Sequence, residues 1–313
     1  MKKVNFSMSF FKKTIGSHFR RFLTSLSPRL NNEVVFYIKF RRKLNLERPT
    51  TLNEKILWLK FNEYRNNPLV KQCANKLEVR DYIKEKGEDS LLNDMINVYS
   101  KPEEIDWDSL PKSFAVKLNV GSGCNRIVRN KEKVDKREIS SLINQWLKKN
   151  HWAGYAELQY RDVEPKILIE KFIGDPFSPV PPKDYKFYCM NGRCEVILVC
   201  LDRGVKTKRH SVKYFFMDRN WNLLPYTPEA FEYTDIVIDK PAELDCAIEK
   251  AEKLAADFPF VRVDFYLEEH KIIFGELTFT PAGAMDTELC LIPPGQDRSV
   301  DVILGEKLHL DFN

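Results

Sequence analysis

Apolar residues recur every three or four positions over the first 30 residues, where Phe11, Ile15, Phe19, Phe22, Leu26 and Leu30 form one helical stripe. The same spacing returns between Thr50 and about Gly87. There Leu52, Ile56, Leu57 and Leu59 share a face, and Asn67-Pro68 punctuates before a second helical run over 69–86. Past a polar connector at 101–111 the period shortens to two. Residues 113–119 predict a strand that runs through Val120-Gly121-Ser122-Gly123-Cys124-Asn125 into a second strand at 126–129. A helix over 136–150, an apolar strand over 166–172 and a Pro-rich linker at 175–182 come next. Asp184–Met190 and Arg193–Leu201 then flank Asn191-Gly192, the strongest short-range hairpin signal. A helix over 242–257 leads into a last hairpin that turns near Glu269-His270. Strands and helices interleave but hairpins dominate, so the expected fold is α+β and not a doubly wound parallel sheet.

The last hairpin carries the most chemistry. Period-2 geometry turns Val261, Val263 and Phe265 one way and Arg262 and Asp264 the other. In the second strand Leu277 and Phe279 oppose Glu276, Thr278 and Thr280. One face thus gathers an arginine, two carboxylates and hydroxyls, hard oxygen ligands suited to Mg²⁺ on a nucleotide's phosphates. A charged, solvent-facing strand surface accounts for the same pattern. Lys117 precedes the Gly-Ser-Gly loop, whose backbone amides can approach phosphate oxygens; a plain hairpin turn is the alternative. The loop is not a Walker A motif, lacking the Gly-Lys-Ser/Thr ending and a following helix. Asp184-Tyr185-Lys186 sets a lysine and an aspartate on one strand face, as a phosphate contact or a simple ion pair. Cys189 and Cys194 fall opposite each other and are expected to be core thiols.

Composition narrows the class. The 313 residues, 43% hydrophobic and 30% charged, suit a soluble globular chain of two or three lobes. No apolar run reaches the roughly 18 residues that span a bilayer, and Lys12-Lys13 directly after Phe10-Phe11 breaks any secretory core. Seven scattered cysteines without a CxxC pair point to reduced thiols and a cytoplasmic protein. A net charge of +5 is too mild to imply nucleic acid. That charge is uneven, however: residues 1–32 hold seven Lys/Arg and no acid. Joined to the apolar stripe, this predicts peripheral contact of residues 1–30 with an anionic membrane, the alternative being a stripe docked on the protein's own core. The five histidines are dispersed, and neither HExxH nor GxSxG occurs, so nucleophilic hydrolysis is not supported. Phosphoryl chemistry, which rests on positioning and electrostatics, needs no such nucleophile.

Taken in order, Asn75-Lys76, Val116-Lys117 with Gly121-Ser122-Gly123, Glu170-Lys171-Phe172-Ile173, Asp184-Tyr185-Lys186, Arg262-Val263-Asp264 and Glu276-Leu277-Thr278 resemble an ATP-grasp enzyme. Pro49–Lys60, Asn75–Arg80, Lys117–Gly123 and Phe274–Pro281 are most similar to the TupA-like branch associated with bacterial surface polysaccharides. The resemblance covers about residues 45–305 and implies a three-lobed α+β fold with ATP held between two sheets. The lobes would be 33–112 (helical), 113–175 (small, with the flap) and 176–313 (large), after the basic segment 1–32. Lys76 and Lys117 would reach the α/β phosphates, and Gly121, Ser122 and Gly123 would close over them. Glu170, Lys171, Phe172 and Ile173 would form the adenine hinge, with Asp175 on the ribose. Lys186 would touch the terminal phosphates, and Asp264 and Glu276, with Thr278, would hold two Mg²⁺ ions. Arg262, with Lys186, would stabilise the transferring phosphoryl group. The family pattern usually has Asn at Thr278 and Asp at Asn75.

The reaction so implied joins a carboxylate to an amine with ATP, through an acyl phosphate, on a surface or capsular glycan, its precursor or a small molecule. A glycosyltransferase or other transferase that reuses the fold, and a non-catalytic nucleotide-binding scaffold, are the competing readings.

Overall fold

The computed structural model describes residues 16–178, 182–201, 212–233, 235–268 and 270–311. Phe11 and Ile15 of the N-terminal stripe, and Glu269 of the last turn, lie outside them. The helical residues are α1 (16–26), α2 (Pro28–Phe40), α3 (Leu52–Phe61), α4 (Pro68–Ala74), α5 (Val79–Glu85), α6 (Lys136–Leu147), α7 (Glu229–Glu232), α8 (Leu244–Ala255) and α9 (Val300–Lys307). The strands are β1 (Met95–Tyr99), β2 (Phe114–Leu118), β3 (Asn125–Val128), β4 (Ile167–Lys171), β5 (Asp184–Met190), β6 (Arg193–Leu201), β7 (Lys213–Met217), β8 (Leu223–Leu224), β9 (Phe260–Glu268) and β10 (Lys271–Thr278).

Local chemistry sets the helix ends. Thr51 and Glu54 make a reciprocal capping box on α3, and Asn67 accepts from Leu69 N and Val70 N ahead of Pro68 on α4. Of the helical pattern read from Thr50, the first helix ends at Phe61, before the Asn67-Pro68 punctuation, and the run over 69–86 is divided at Asn75.

Two antiparallel sheets form, ordered β1-β4-β2-β3 and β10-β9-β5-β6-β7-β8. The Asn191-Gly192 turn has φ of 50° and 77°, both left-handed, as a two-residue hairpin turn demands. Cys189 pairs opposite Cys194 in that hairpin, and both thiols are buried and unbridged. The small sheet packs Phe114, Val116 and Ile167 against Ile139, Ile143 and Trp146 of α6 in a core of its own. The large sheet shares a second core with α3, α4, α5, α8 and α9.

A polar group sits deep where the helices meet the segment before β4. Lys60, 1% exposed, donates to Asn32 Oδ1 at 2.7 Å and to the Tyr155 carbonyl. Burial lowers its pKa to about 8, with Glu157 opposing the shift. The folded chain therefore gives up this proton near pH 8, while the unfolded chain keeps it to 10.5. Between those limits the unfolded state binds more protons, and stability rises with pH. The difference in unfolding free energy between the native chain and Lys60→Met is expected to grow by about 1 kcal/mol per pH unit above about pH 8. Urea titrations at several pH values check this, and a pH-independent difference would contradict it.

Candidate active site

Strand register builds the site. Across the large sheet, Lys186 of β5 lies beside Asp264 of β9, which lies beside Glu276 of β10. The next row is Tyr188, Arg262 and Thr278. Arg262 forks onto Asp264, Nε to Oδ1 and Nη2 to Oδ2, both at 2.7 Å. It also donates to Thr278 Oγ1 at 3.1 Å, and that hydroxyl donates to Glu276 Oε1 at 2.9 Å. Lys186 Nζ bonds Asp264 and lies 2.8 Å from Asp184 Oδ2.

A bulge makes the second carboxylate available. Phe274 pairs with Phe265 and Glu276 with Asp264, so the register shifts at Gly275. Counting by twos would place Phe274 and Glu276 on one face. The extra residue instead keeps Phe274 in the core and turns Glu276 to the site. A Cβ on Gly275 would come 3.0 Å from the Asp264 carbonyl, and that oxygen is backbone that cannot swing aside. Gly275→Ala is expected to displace the two carboxylates relative to each other and to lower turnover about 10-fold to 100-fold. Steady-state kinetics on a variant of native circular dichroism tests it; unchanged turnover would show that the bulge is dispensable.

The facing wall comes from the small sheet. The β2–β3 loop has Gly121 and Gly123 at φ of 72° and 71°, the left-handed region where a side chain costs about 1–2 kcal/mol. Lys76 Nζ donates to the Gly121 carbonyl at 2.8 Å and lies 3.6 Å from Glu276 Oε2, so one lysine spans both walls. Lys117 Nζ meets Glu170 Oε2 at 2.7 Å. Between the walls is a cleft of about 630 Å³, part of it open to solvent, lined by Lys76, Lys117, Gly121–Asn125, Asp184, Lys186, Asp264, Tyr266, Gly275 and Glu276.

Charges in the cleft compensate one another. Burial opposes ionisation of Glu276, yet Lys76, Arg262 and Lys186 hold its pKa down at about 2. Burial pushes Asp264 up, with Arg262 and Lys186 pulling against it. Burial would lower Lys186, but Asp264 and Asp184 together outweigh it and the ammonium is stabilised. Among the described residues no three His, Cys, Asp or Glu side chains group as a metal cage. Two adjacent carboxylates nevertheless suit Mg²⁺, which prefers one or two protein carboxylates and completes its shell with water and phosphate oxygens.

The expected site residues divide. Lys76, Lys117, Gly121, Ser122, Gly123, Lys186, Asp264 and Glu276 line one cleft, and Arg262 and Thr278 brace its carboxylates. Glu170 reaches it only through Lys117. Lys171 is exposed and pairs with Asp94, its backbone N–H donating to the Asp94 carbonyl. Arg129 lies over the Phe172 ring. Phe172 and Ile173 do not line the cleft, and Asp175 borders a different hollow beside Tyr185 and Glu243. Asn75, where Asp is usual, accepts from Leu77 N and donates to Glu78 Oε1 at 2.8 Å; a carboxylate there would face Glu78 with like charge. Tyr266 was not anticipated, although it continues the Arg262, Asp264 alternation by one more step.

A second cavity of about 1610 Å³, also partly open, shares Lys186 with the first and adds Arg262. Its walls include Tyr188, Tyr214, Phe216 and Tyr226, with Glu229, Asp286 and Glu288 at one side. Burial raises Asp286, and burial together with Asp286 and Glu229 raises Glu288. These residues come from separate segments with no common spacing, so no sequence signal marks them.

Two antiparallel sheets that close a glycine loop and paired lysines over a carboxylate row define an ATP-grasp fold. Residues 54–309 match the family described as TupA-like ATPgrasp, and the chain belongs to that family. A search of curated protein sequences finds no significant match. Among solved structures, the D-alanine–D-alanine ligase of Bacillus anthracis is similar at a TM-score of 0.40 and 20% identity, over 66% of this chain and 57% of that one. The corresponding Helicobacter pylori ligase gives 0.41 and 16%, over 82% and 69%. The ATP-grasp ligase PsnB with its minimal precursor gives 0.44 and 10%, over 82% and 66%.

Proposed function

We propose that the protein is an ATP-dependent carboxylate–amine ligase that acts through an acyl phosphate on a surface glycan or its precursor. The observation that carries the reading is Lys186, which walls both cavities while Asp184 and Asp264 hold it. Nucleotide phosphates in the first cavity and the organic substrates in the second would meet at this ammonium.

In this reading Lys76 and Lys117 bind the α/β phosphates and the Gly121–Gly123 loop covers them. Phe172 and Ile173 lie outside the cleft lining and would meet the adenine only where the nucleotide extends past it toward the end of β4, the Lys171 backbone being already bonded to Asn93 and Asp94. Asp264 and Glu276 would hold Mg²⁺, which when bound neutralises charge on the phosphates. A substrate carboxylate oxygen attacks the γ-phosphorus and ADP departs, giving an acyl phosphate. Lys186 and Arg262 balance the charge on the phosphoryl oxygens. An amine nitrogen then adds to the acyl carbon; the tetrahedral intermediate collapses to an amide and expels phosphate. Asp286, with its raised pKa, takes the amine's proton. The aromatic walls of the second cavity suit a pyranose ring, whose C–H faces stack on Tyr and Phe. The glycan assignment rests on the resemblance to the TupA-like branch, not on the family match over residues 54–309 by itself.

The test incubates the protein with Mg²⁺-ATP, uronic acids and amino acids, and measures ADP, phosphate and product mass. One ADP and one phosphate per amide is the expected stoichiometry, and hydroxylamine should divert the acyl phosphate to a hydroxamate. Consumption of a nucleotide-sugar without ATP would replace this reading with the transferase one.

A further inference from the structure

We infer that the outer flank of α1 and α2 is a docking surface for an anionic phospholipid bilayer. A helix on a globular protein normally buries apolar residues and exposes polar ones. Here α1 buries Leu23 and α2 buries Val35 and Phe36, but much of the buried side is polar while large apolar groups remain outside. Thr24, Asn31 and Asn32 are almost completely buried. Thr24 Oγ1 donates to the Ala153 carbonyl at 2.7 Å, and Asn32 Nδ2 to the Tyr155 carbonyl at 3.0 Å. Both helices therefore anchor to residues 153–155 through polar groups. Away from that anchor Phe19, Phe22 and Leu26 are 48%, 59% and 61% exposed, at the i, i+3, i+7 spacing that makes one flank of α1. Leu30, Tyr37 and Ile38 of α2 are exposed too.

Charge selects the occupant. Residues 1–15, which lead into α1, carry Lys2, Lys3, Lys12 and Lys13 and no acid, and Arg20 and Arg21 follow before the first acid, Glu33. Arg29 Nε lies 2.8 Å from Glu33, the Arg20 guanidinium lies over the Tyr155 ring, and Arg20 and Arg21 are only half-exposed, so the lysines are the cations assigned to headgroups. A second copy of the chain would bring the same cations against each other. An anionic bilayer offers apolar depth for the phenylalanines and negative headgroups for the lysines. No helix among the described residues is long and apolar enough to cross a membrane, so the contact is interfacial. It would hold the ligase beside an acceptor borne on that membrane, but the surface is argued independently of the reaction.

The test is sedimentation of the full chain with vesicles of phosphatidylcholine alone or with one third phosphatidylglycerol. Binding is expected only to the anionic vesicles, weakening as salt rises. Phe22→Ser combined with Leu26→Ser should lower the partition coefficient by about tenfold or more with an unchanged melting temperature. Three results would overturn the inference: no binding to anionic vesicles, binding that the double variant retains, or a dimer in solution that the double variant splits into monomers.

Discussion

Glu276→Gln is expected to cut ATP-dependent turnover by about 10²–10³-fold while the chain stays folded. The substitution keeps shape and removes one negative charge from a row where Lys76, Arg262 and Lys186 converge. With the carboxylate gone, one of the two proposed Mg²⁺ ligands becomes a weaker neutral oxygen, and Lys76, Arg262 and Lys186 lose an anion they share. The rise in melting temperature that Mg²⁺-ATP confers on the native protein should shrink accordingly. Because the Glu276 side chain is 35% exposed, water screens its ion pairs and the stability lost without nucleotide should be modest. Its depressed pKa does give stability a pH signature. The contribution is complete above 4.5 and is lost as pH falls from there toward about 2. Glu276→Gln removes that slope, which acid titration followed by circular dichroism would detect. Native-like turnover in the variant would exclude Glu276 from the chemistry.

Asp264→Asn is expected to act differently, on folding first. Asp264 is 4% exposed and takes both arms of the Arg262 fork together with the Lys186 ammonium. Neutralising it leaves two cations in the large sheet without their main partner. Loss of one partner from a buried pair costs about 3–5 kcal/mol, because the remaining charge stays desolvated. Denaturant unfolding should show that loss. Adding Arg262→Met and Lys186→Met to Asp264→Asn should recover much of the stability, since apolar groups need no partner, and none of the turnover. If Asp264→Asn alone kept full stability, the three side chains would not be coupled as the geometry requires.

The contrast between these two carboxylates marks what could be read in advance. Alternation alone places Arg262 and Asp264 on one face, because a strand without irregularity turns each successive side chain over. Alternation with Leu277 and Phe279 also turns Glu276 away from the core, but it pairs directly beside Asp264 only because the chain bulges at Gly275, a register shift that no spacing marks. The edge strand β1 escaped notice, since its half-exposed residues show no clear period. For the N-terminal helices, spacing revealed an apolar stripe but not its direction. The hydrogen bonds of Thr24 and Asn32 to residues 153–155, more than 120 positions away, turn that stripe outward.

Local period, turn chemistry and motif order along the chain were enough for the element types, the α+β class, the family and a set of candidate residues for phosphoryl chemistry. Tertiary structure decided which of them meet. It brought Lys76 to Glu276 and Gly121, set Lys117 between the cleft and Glu170, and drew Asp175 to another hollow. It also assembled the aromatic second cavity against Lys186 and Arg262. Those meetings follow from strand register and the packing of distant segments, which no spacing along one chain encodes.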